Sequence, residues 1–443
     1  MASTLHGTSA GWNLKTVAQE SVGGRRMCVP LGRMLGGSSA INTLIFTPPS
    51  EANIDAWARL GNPGWEFTSF ARSMASAYSL ADSPWENDGH GPLQVSIPKE
   101  DIIVSAGTFH SPKILELSGI GDADLLRSLG IDVVIDNPHV GENLQTHPYC
   151  TMAFEARDQE GFQTMDGLIR QDSSTIKAAM ESYQKQQEGP FTKSCLNATA
   201  QLPLPSYLMG SDGKSELDKV FKQACERAEP GKTTAAFAKA HEKVVHSVMS
   251  SPTEASALYY SFPGFAMLEG EGGMADIIPG SKNWFTAATL LAHPLSRGST
   301  HITSASSSSP GLAVDPKCLS HPFDVEVLAR HIQQLETIFK TEPLASHLVR
   351  DGRRLPSINN LSNLDEARDL VRQKAVAGHH YSGTCSMMPR ELGGVVDEQL
   401  GVYGCKNLRV CDFSIAPLMT RCNPQATVYG IAEHGAHIIK SSS

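Results

Sequence analysis

The apolar positions of this chain change period along its length, and the changes divide it into zones. Over 1–98 no period is sustained. Gly, Pro, Ser and Trp recur there, which predicts a loop-dominated stretch with short helices. From 99 to 150 the pattern is α/β. "DIIVSAG" (101–107) reads as a short strand ending in a turn, and "IDVVID" (131–136) as another. "HSPKILELSGIG" between them reads as a helix, with Ser111 at its N-cap, Pro112 at its first position, and Gly119 and Gly121 stopping it. Over 151–285 the pattern weakens. "TTAAFAKAHEKVVHSVM" reads as a helix, the polar stretches around 208–232 read as surface, and no chemistry-bearing motif stands out.

Over 286–380 the sequence predicts a strand at "GSTHITSA", a Ser-rich turn at 305–309, and an amphipathic helix at "DVEVLARHIQQLETIFK". In that helix Val325, Leu328, Ile332, Leu335 and Phe339 recur at steps of three and four. The end of the chain returns to α/β. "NLRVCD" (407–412) is a strand ending at an acid. "NPQATVYGIAEHGAHIIK" is a helix opened by Asn423 and Pro424, with Val428, Ile431, Gly435 and Ile438 as its buried stripe. Strand, loop and helix N-terminus in that order make an anion-receptive corner.

At 443 residues the chain is long enough for two domains. A net charge of −9 gives no reason to expect nucleic acid or an anionic membrane surface as partner. No apolar run is long enough to span a bilayer, and the first residues lack the apolar core of a secretory signal. As written, the chain is expected in the cytoplasm. Its nine cysteines are odd in number and scattered, and no CxxC occurs, which argues against a disulfide framework and against a metal site. The sequons at Asn197 and Asn360 are then chance matches.

Three stretches hold candidate chemistry. In "GRMLGGSSAIN" (32–42) the glycines allow close backbone approach, and Ser38, Ser39 and Asn42 offer hydrogen-bonding groups. In "HHYSGTCSM" (379–387) His380 stands three residues before a Gly-Thr turn, and histidine is the default general base near neutral pH. In the C-terminal stretch Asp412 ends a strand, where open α/β sheets place ligand contacts, and Asn423 starts a helix. Each alone fits a structural loop, a core histidine, a turn aspartate or an N-cap asparagine.

Together, and in order, "GRMLGGSSAINTLIF", "DAWARLGNPGW", "IIVSAGTFHSPKILELSGIG", "VGENLQTHP", "HPLSRGSTHITS", "GTCSMMPRELGGVVD" and "NLRVCDFSIAP…NPQATVYGIAEHGA" resemble the signatures of the glucose–methanol–choline (GMC) flavoprotein oxidoreductases. The variant is similar to fungal members, including those of secondary-metabolite pathways. The resemblance covers most of 25–148 and 290–440. It implies an α/β fold, α+β overall, in which an FAD-binding region (1–150) precedes a weakly matching substrate region (151–289). A C-terminal region (290–443) then returns to the FAD domain from about 390.

The resemblance also implies FAD as cofactor, a small-molecule alcohol as substrate, and a possible homodimer. His380 would be the base that takes the hydroxyl proton while hydride passes to the flavin, and His379 lies one register off. Asn423 would lie across the substrate hydroxyl. Ser38 would stand near the pyrophosphate, with Asn42, Thr43, Leu44 and Ile45 beside the flavin and Asp412, Pro424 and Gln425 on its other side. A non-redox cyclase or dehydratase on the same scaffold, or a non-catalytic remnant, are the competing readings.

Two departures from the family pattern bear on the fold. No strand–GxGxxG–helix unit is present: "SVGGRR" (21–26) and "GEGG" (270–273) have neither its spacing nor its flanking strand. Near residue 98, "GPLQVSIP" runs through Lys99 and Glu100 straight into "DIIVSAG", as if a segment were missing. The expectation is an incomplete Rossmann-like region whose strands lack ladder partners and expose edges.

Overall fold

The computed structural model describes residues 8–43, 45–77, 101–159, 162–192, 198–205, 213–229, 231–269, 273–274, 282–306, 311–357 and 361–442. Leu44, the sequon asparagines Asn197 and Asn360, the joint near residue 98 and part of the Ser-rich turn lie outside them.

The largest sheet is antiparallel and six-stranded. Pro148–Ala156 and Asn283–Leu291 are its long central strands, Ala257–Phe262 and Ala198–Leu202 extend one side, and the short strands Arg354–Leu355 and Val376–Ala377 pair with Pro148–Ala156. Long alternation of apolar and small residues suits strands packed on at least one face. The helix Pro322–Phe339 covers this sheet, with Val325, Leu328, Ile332, Leu335 and Phe339 all buried against Cys150, Met152 and Ala287, as the periodicity predicts. Pro322 sits in its first turn, where its missing N–H costs nothing, and the His321 side chain accepts from the Phe323 N–H. The N-terminal hairpin of Leu14–Lys15 and Cys28–Val29 joins the same core, and Arg25 ties it to the carbonyl of Ala375 at 2.8 Å.

A second core surrounds the last helix, Pro424–Ser441. Its buried face is centred on Ala426, Thr427, Gly430, Ile431, His434 and Gly435, with Val428 and Ile438 only half-buried at its margins. The shift has a local cause. The helix lies so close to Phe67–Ser76 that a Cβ at Gly430 would stand 2.4 Å from the Phe70 ring, and a Cβ at Gly435 2.5 Å from Cys411 Sγ. Glycine at those positions is what allows the approach.

The α/β part is small. Ile102–Val104 pairs in parallel with Leu408–Val410, and Ile120–Gly121 with Ile135–Asp136. Ile102 and Ile103 are 61% and 37% exposed, as expected for a strand with one neighbour among the described residues.

The helix that follows corrects the sequence reading. It runs Gly107–Leu117, so Ser111 and Pro112 lie inside it and not at its start. A proline there cannot donate to the Thr108 carbonyl four residues back, and the Thr384 hydroxyl donates to that carbonyl instead, at 2.5 Å. The N-terminus is held from far along the chain: Asp412 Oδ2 accepts from the Gly107 N–H at 2.9 Å and from the Ser111 hydroxyl at 2.5 Å.

Candidate active site

The segment 140–149, "VGENLQTHPY", is the frame on which the site is assembled. The Asn143 amide donates to Ser386 Oγ and to the Pro417 carbonyl. The Gln145 amide donates to the carbonyls of Ala416 and Pro417, and its oxygen accepts from the Met419 N–H. These bonds draw "SGTCSM" and "SIAPLM" against one another. The same segment runs antiparallel to 376–382, pairing Pro148 with Ala377 and Gln145 with Ser382. Between those pairs residues 378–381 face only Thr146 and His147, so the longer side bulges. His379 adopts a left-handed φ of 61° in the bulge. His380 is thereby brought against His147.

His380 Nδ1 lies 2.8 Å from His147 Nδ1, with the rings edge to face. His380 Nε2 lies 3.2 Å from Asn423 Nδ2. The Tyr260 hydroxyl donates to Asn423 Oδ1 at 2.6 Å. At the far end, His147 Nε2 is 3.1 Å from the Ala292 carbonyl and 3.0 Å from the Thr420 carbonyl. Burial lowers the pKa of His147 to about 4 against the opposing pull of those carbonyls. Burial, with His147 and His379 nearby, holds His380 well below the usual histidine range. Burial raises the Tyr260 phenol, so it stays protonated. At neutral pH the cluster is therefore an uncharged chain of hydrogen-bonding groups with one imidazole able to accept a proton.

Of the residues named from sequence, His380 and Asn423 are brought into contact across 43 positions. Asn423 does hold the N-cap position, but its side chain makes no capping bond and turns to Tyr260 and His380 instead. The Asn42 amide donates to Gln425 Oε1 at 3.2 Å, which joins the glycine loop to the first turn of the last helix. Ile45 packs on the cluster that contains Tyr260, Leu290 and Ala292. Pro424 opens the last helix half-buried, and Thr43 is exposed. Ser38 is exposed, and its hydroxyl accepts from the Gly32 N–H within its own loop. Asp412 stands apart from the rest: its carboxylate is occupied by Gly107, Ser111 and the Ser414 N–H.

Two members of the cluster carry no signal of their own in sequence. His147 is one of 16 histidines. Its place just before a long strand, inside "VGENLQTHP", was the available hint. Tyr260 lies in the region where the sequence shows no chemistry-bearing motif, and its hydrogen bond to Asn423 emerges only from the fold. Among the described residues, no group of three or more His, Cys, Asp or Glu is arranged to hold a metal.

Comparison with known proteins gives the chain a family and a fold. The GMC oxidoreductase family models match residues 14–96 and 84–149 (N-terminal part) and 294–432 (C-terminal part). The chain belongs to the GMC oxidoreductase family. The N-terminal match comes in two pieces that meet over 84–96, next to the joint expected near residue 98. The chain is 27% identical to Dehydrogenase mpl7 of Monascus purpureus, over 97% of this chain and 86% of that one. It is 25% identical to GMC oxidoreductase family protein Mala s 12 of Malassezia sympodialis, over 98% and 83%. The first alignment spans 550 positions, more than the 443 residues of this chain, so that relative carries stretches with no counterpart here. In fold the chain resembles an FAD-dependent oxidoreductase from Chaetomium thermophilum, with TM-score 0.81, 21% identity and coverage of 98% and 90%. It also resembles a fungal aryl-alcohol oxidase, with TM-score 0.79, 20% identity and coverage of 98% and 90%. The mixed α/β architecture with its antiparallel sheet is that of these flavoenzymes.

Proposed function

We propose that this protein is an FAD-dependent oxidoreductase that converts an alcohol CH–OH group to a carbonyl, in a fungal secondary-metabolite pathway. The observation that carries the reading is the contact of His380 Nε2 with Asn423 Nδ2 at 3.2 Å, beside the loop and helix end that Asn42 and Gln425 tie together.

The residues present fit the flat end of FAD. Gly36 and Gly37 hold φ of 86° and 53°, and beyond its chain neighbours nothing lies within 4 Å of where a Cβ of Gly37 would stand, so the backbone there is open. The last helix presents an N-terminus without a side-chain cap, which suits an electron-rich edge of a ligand. Asn42, Thr43, Ile45, Pro424 and Gln425 would line that end, with Ser38 further along the loop. The helix Gly107–Leu117 is different: Asp412 already supplies its N-terminal anion, so it offers no grip for a diphosphate. When bound, the flavin supplies the hydride acceptor.

The chain's own residues supply the proton chemistry. A substrate hydroxyl within reach of both His380 Nε2 and Asn423 Nδ2 gives its proton to His380 Nε2 in place of the Asn423 contact, which raises the hydride-donating power of the carbinol carbon. Asn423 Nδ2 donates to the developing alkoxide, and the Tyr260 hydroxyl keeps Asn423 Oδ1 turned away from it. The test is direct. Protein incubated with FAD and desalted should keep the flavin absorbance band; protein that emerges colourless overturns the reading.

A further inference from the structure

We propose that His147 is a positioning residue that fixes His380 as the Nδ1–H tautomer, leaving Nε2 unprotonated as the acceptor toward Asn423 and the substrate position. The inference deepens the proposed function and rests on it for its catalytic consequence; the proton placement itself rests on hydrogen bonds alone.

The placement follows from one end of the chain. His147 Nε2 faces two backbone carbonyls, Ala292 at 3.1 Å and Thr420 at 3.0 Å, and carbonyl oxygens only accept. A bare Nε2 there would set a lone pair against two others inside the core. The proton of neutral His147 is therefore on Nε2, and His147 Nδ1 is an acceptor. His147 Nδ1 and His380 Nδ1 are 2.8 Å apart, a distance that needs one hydrogen between them. His380 must provide it, so His380 carries Nδ1–H and its Nε2 accepts from Asn423 Nδ2 at 3.2 Å. Asn423 Oδ1 then accepts from the Tyr260 hydroxyl at 2.6 Å. Every donor in the chain meets an acceptor in this direction and in no other. Reversing it would put Nε2–H on His380 and remove the base.

The ends of the chain are also held in register. Tyr260 and Ala288 are paired on neighbouring strands, and Ala292 follows directly on the strand that carries Ala288. Thr420 stands three residues before Asn423 on one loop. The low pKa of His147 keeps it neutral through the working range, so the direction does not switch near neutral pH.

The experiment is a long-range proton–nitrogen correlation spectrum of the cofactor-free protein labelled with nitrogen-15 at histidine. His380 and His147 are identified by His380→Gln and His147→Asn. The expected pattern is Nδ1–H for His380 and Nε2–H for His147. His147→Asn places an amide oxygen where Nδ1 stood, and His380 should keep its tautomer. His147→Leu removes the acceptor, and His380 should shift to Nε2–H. In the flavin-loaded enzyme His147→Leu should lower kcat by about a hundredfold, and His147→Asn should recover most of it. A wild-type His380 that carries Nε2–H overturns the proposal, as does an unchanged tautomer in His147→Leu. Should His147→Leu fail to fold, the wild-type and His147→Asn spectra still decide. A protein with the expected tautomers but no alcohol oxidation would overturn the proposed function and leave this inference standing.

Discussion

On the antiparallel sheet Met152, Trp284 and Leu291 are fully buried, while around the glycine loop and the parallel strands Leu35 is 100% exposed, Val134 69% and Ile102 61%. The first region builds much of the hydrogen-bonded cluster around His380: Tyr260, His147 and the Ala292 carbonyl come from its strands or their immediate ends. On the proposed function, the glycine loop of the second region would face the cofactor. The contrast teaches that the two tasks of the site rest on different foundations. His380 and its hydrogen-bonding partners are held against a packed core, whereas around the glycine loop and the parallel strands apolar side chains are left in water.

The contrast can be broken most sharply at His380. His380→Ala should reduce alcohol oxidation by a factor of about 10² to 10⁴ while flavin retention and melting temperature stay close to those of the parent; steady-state rates and a thermal melt check this. Packing should respond next. Ile332→Ala, in the sheet-side core, should cost about 2–5 kcal/mol in denaturant unfolding. Ile102→Ser, on the exposed strand, should change the same quantity by about 0.5 kcal/mol or less. If the two substitutions cost the same, the regions do not differ as described.

A pH effect lies between these in size. Burial opposes charge on His301, but hydrogen bonds to Glu116 and Glu142, 2.6 and 3.0 Å away, carry its pKa up to about 9. Because the folded value lies above the unfolded one of about 6.5, this contribution is fully present below about pH 6.5. It is lost as pH rises through about 9. Unfolding free energy should therefore decline by about 1–3 kcal/mol across that window, and His301→Gln should flatten the decline.

What was legible in sequence follows the same division between local and distant causes. The helix Pro322–Phe339 was readable because its five-residue apolar stripe is a local pattern, and all five positions are buried. Ala235–Met249 was also expected as a helix, and in the fold Thr234 caps it. The start of Gly107–Leu117 was misplaced because its cap, Asp412, comes from 305 residues away and the compensation for Pro112 comes from Thr384. "IDVVID" yields only Ile135–Asp136 as strand, since a short apolar run does not reveal how much of it finds a partner. His380 and Asn423 were found by the order of motifs, whereas His147 and Tyr260 required the bulge and the sheet register that bring them in.

The measurement closest to the central claim is anaerobic mixing of the FAD-loaded protein with a panel of alcohols, followed by the flavin absorbance. The account predicts bleaching by at least one alcohol in the parent protein, and retained but unbleached flavin in His380→Ala. Bleaching at the same rate in both proteins would contradict it.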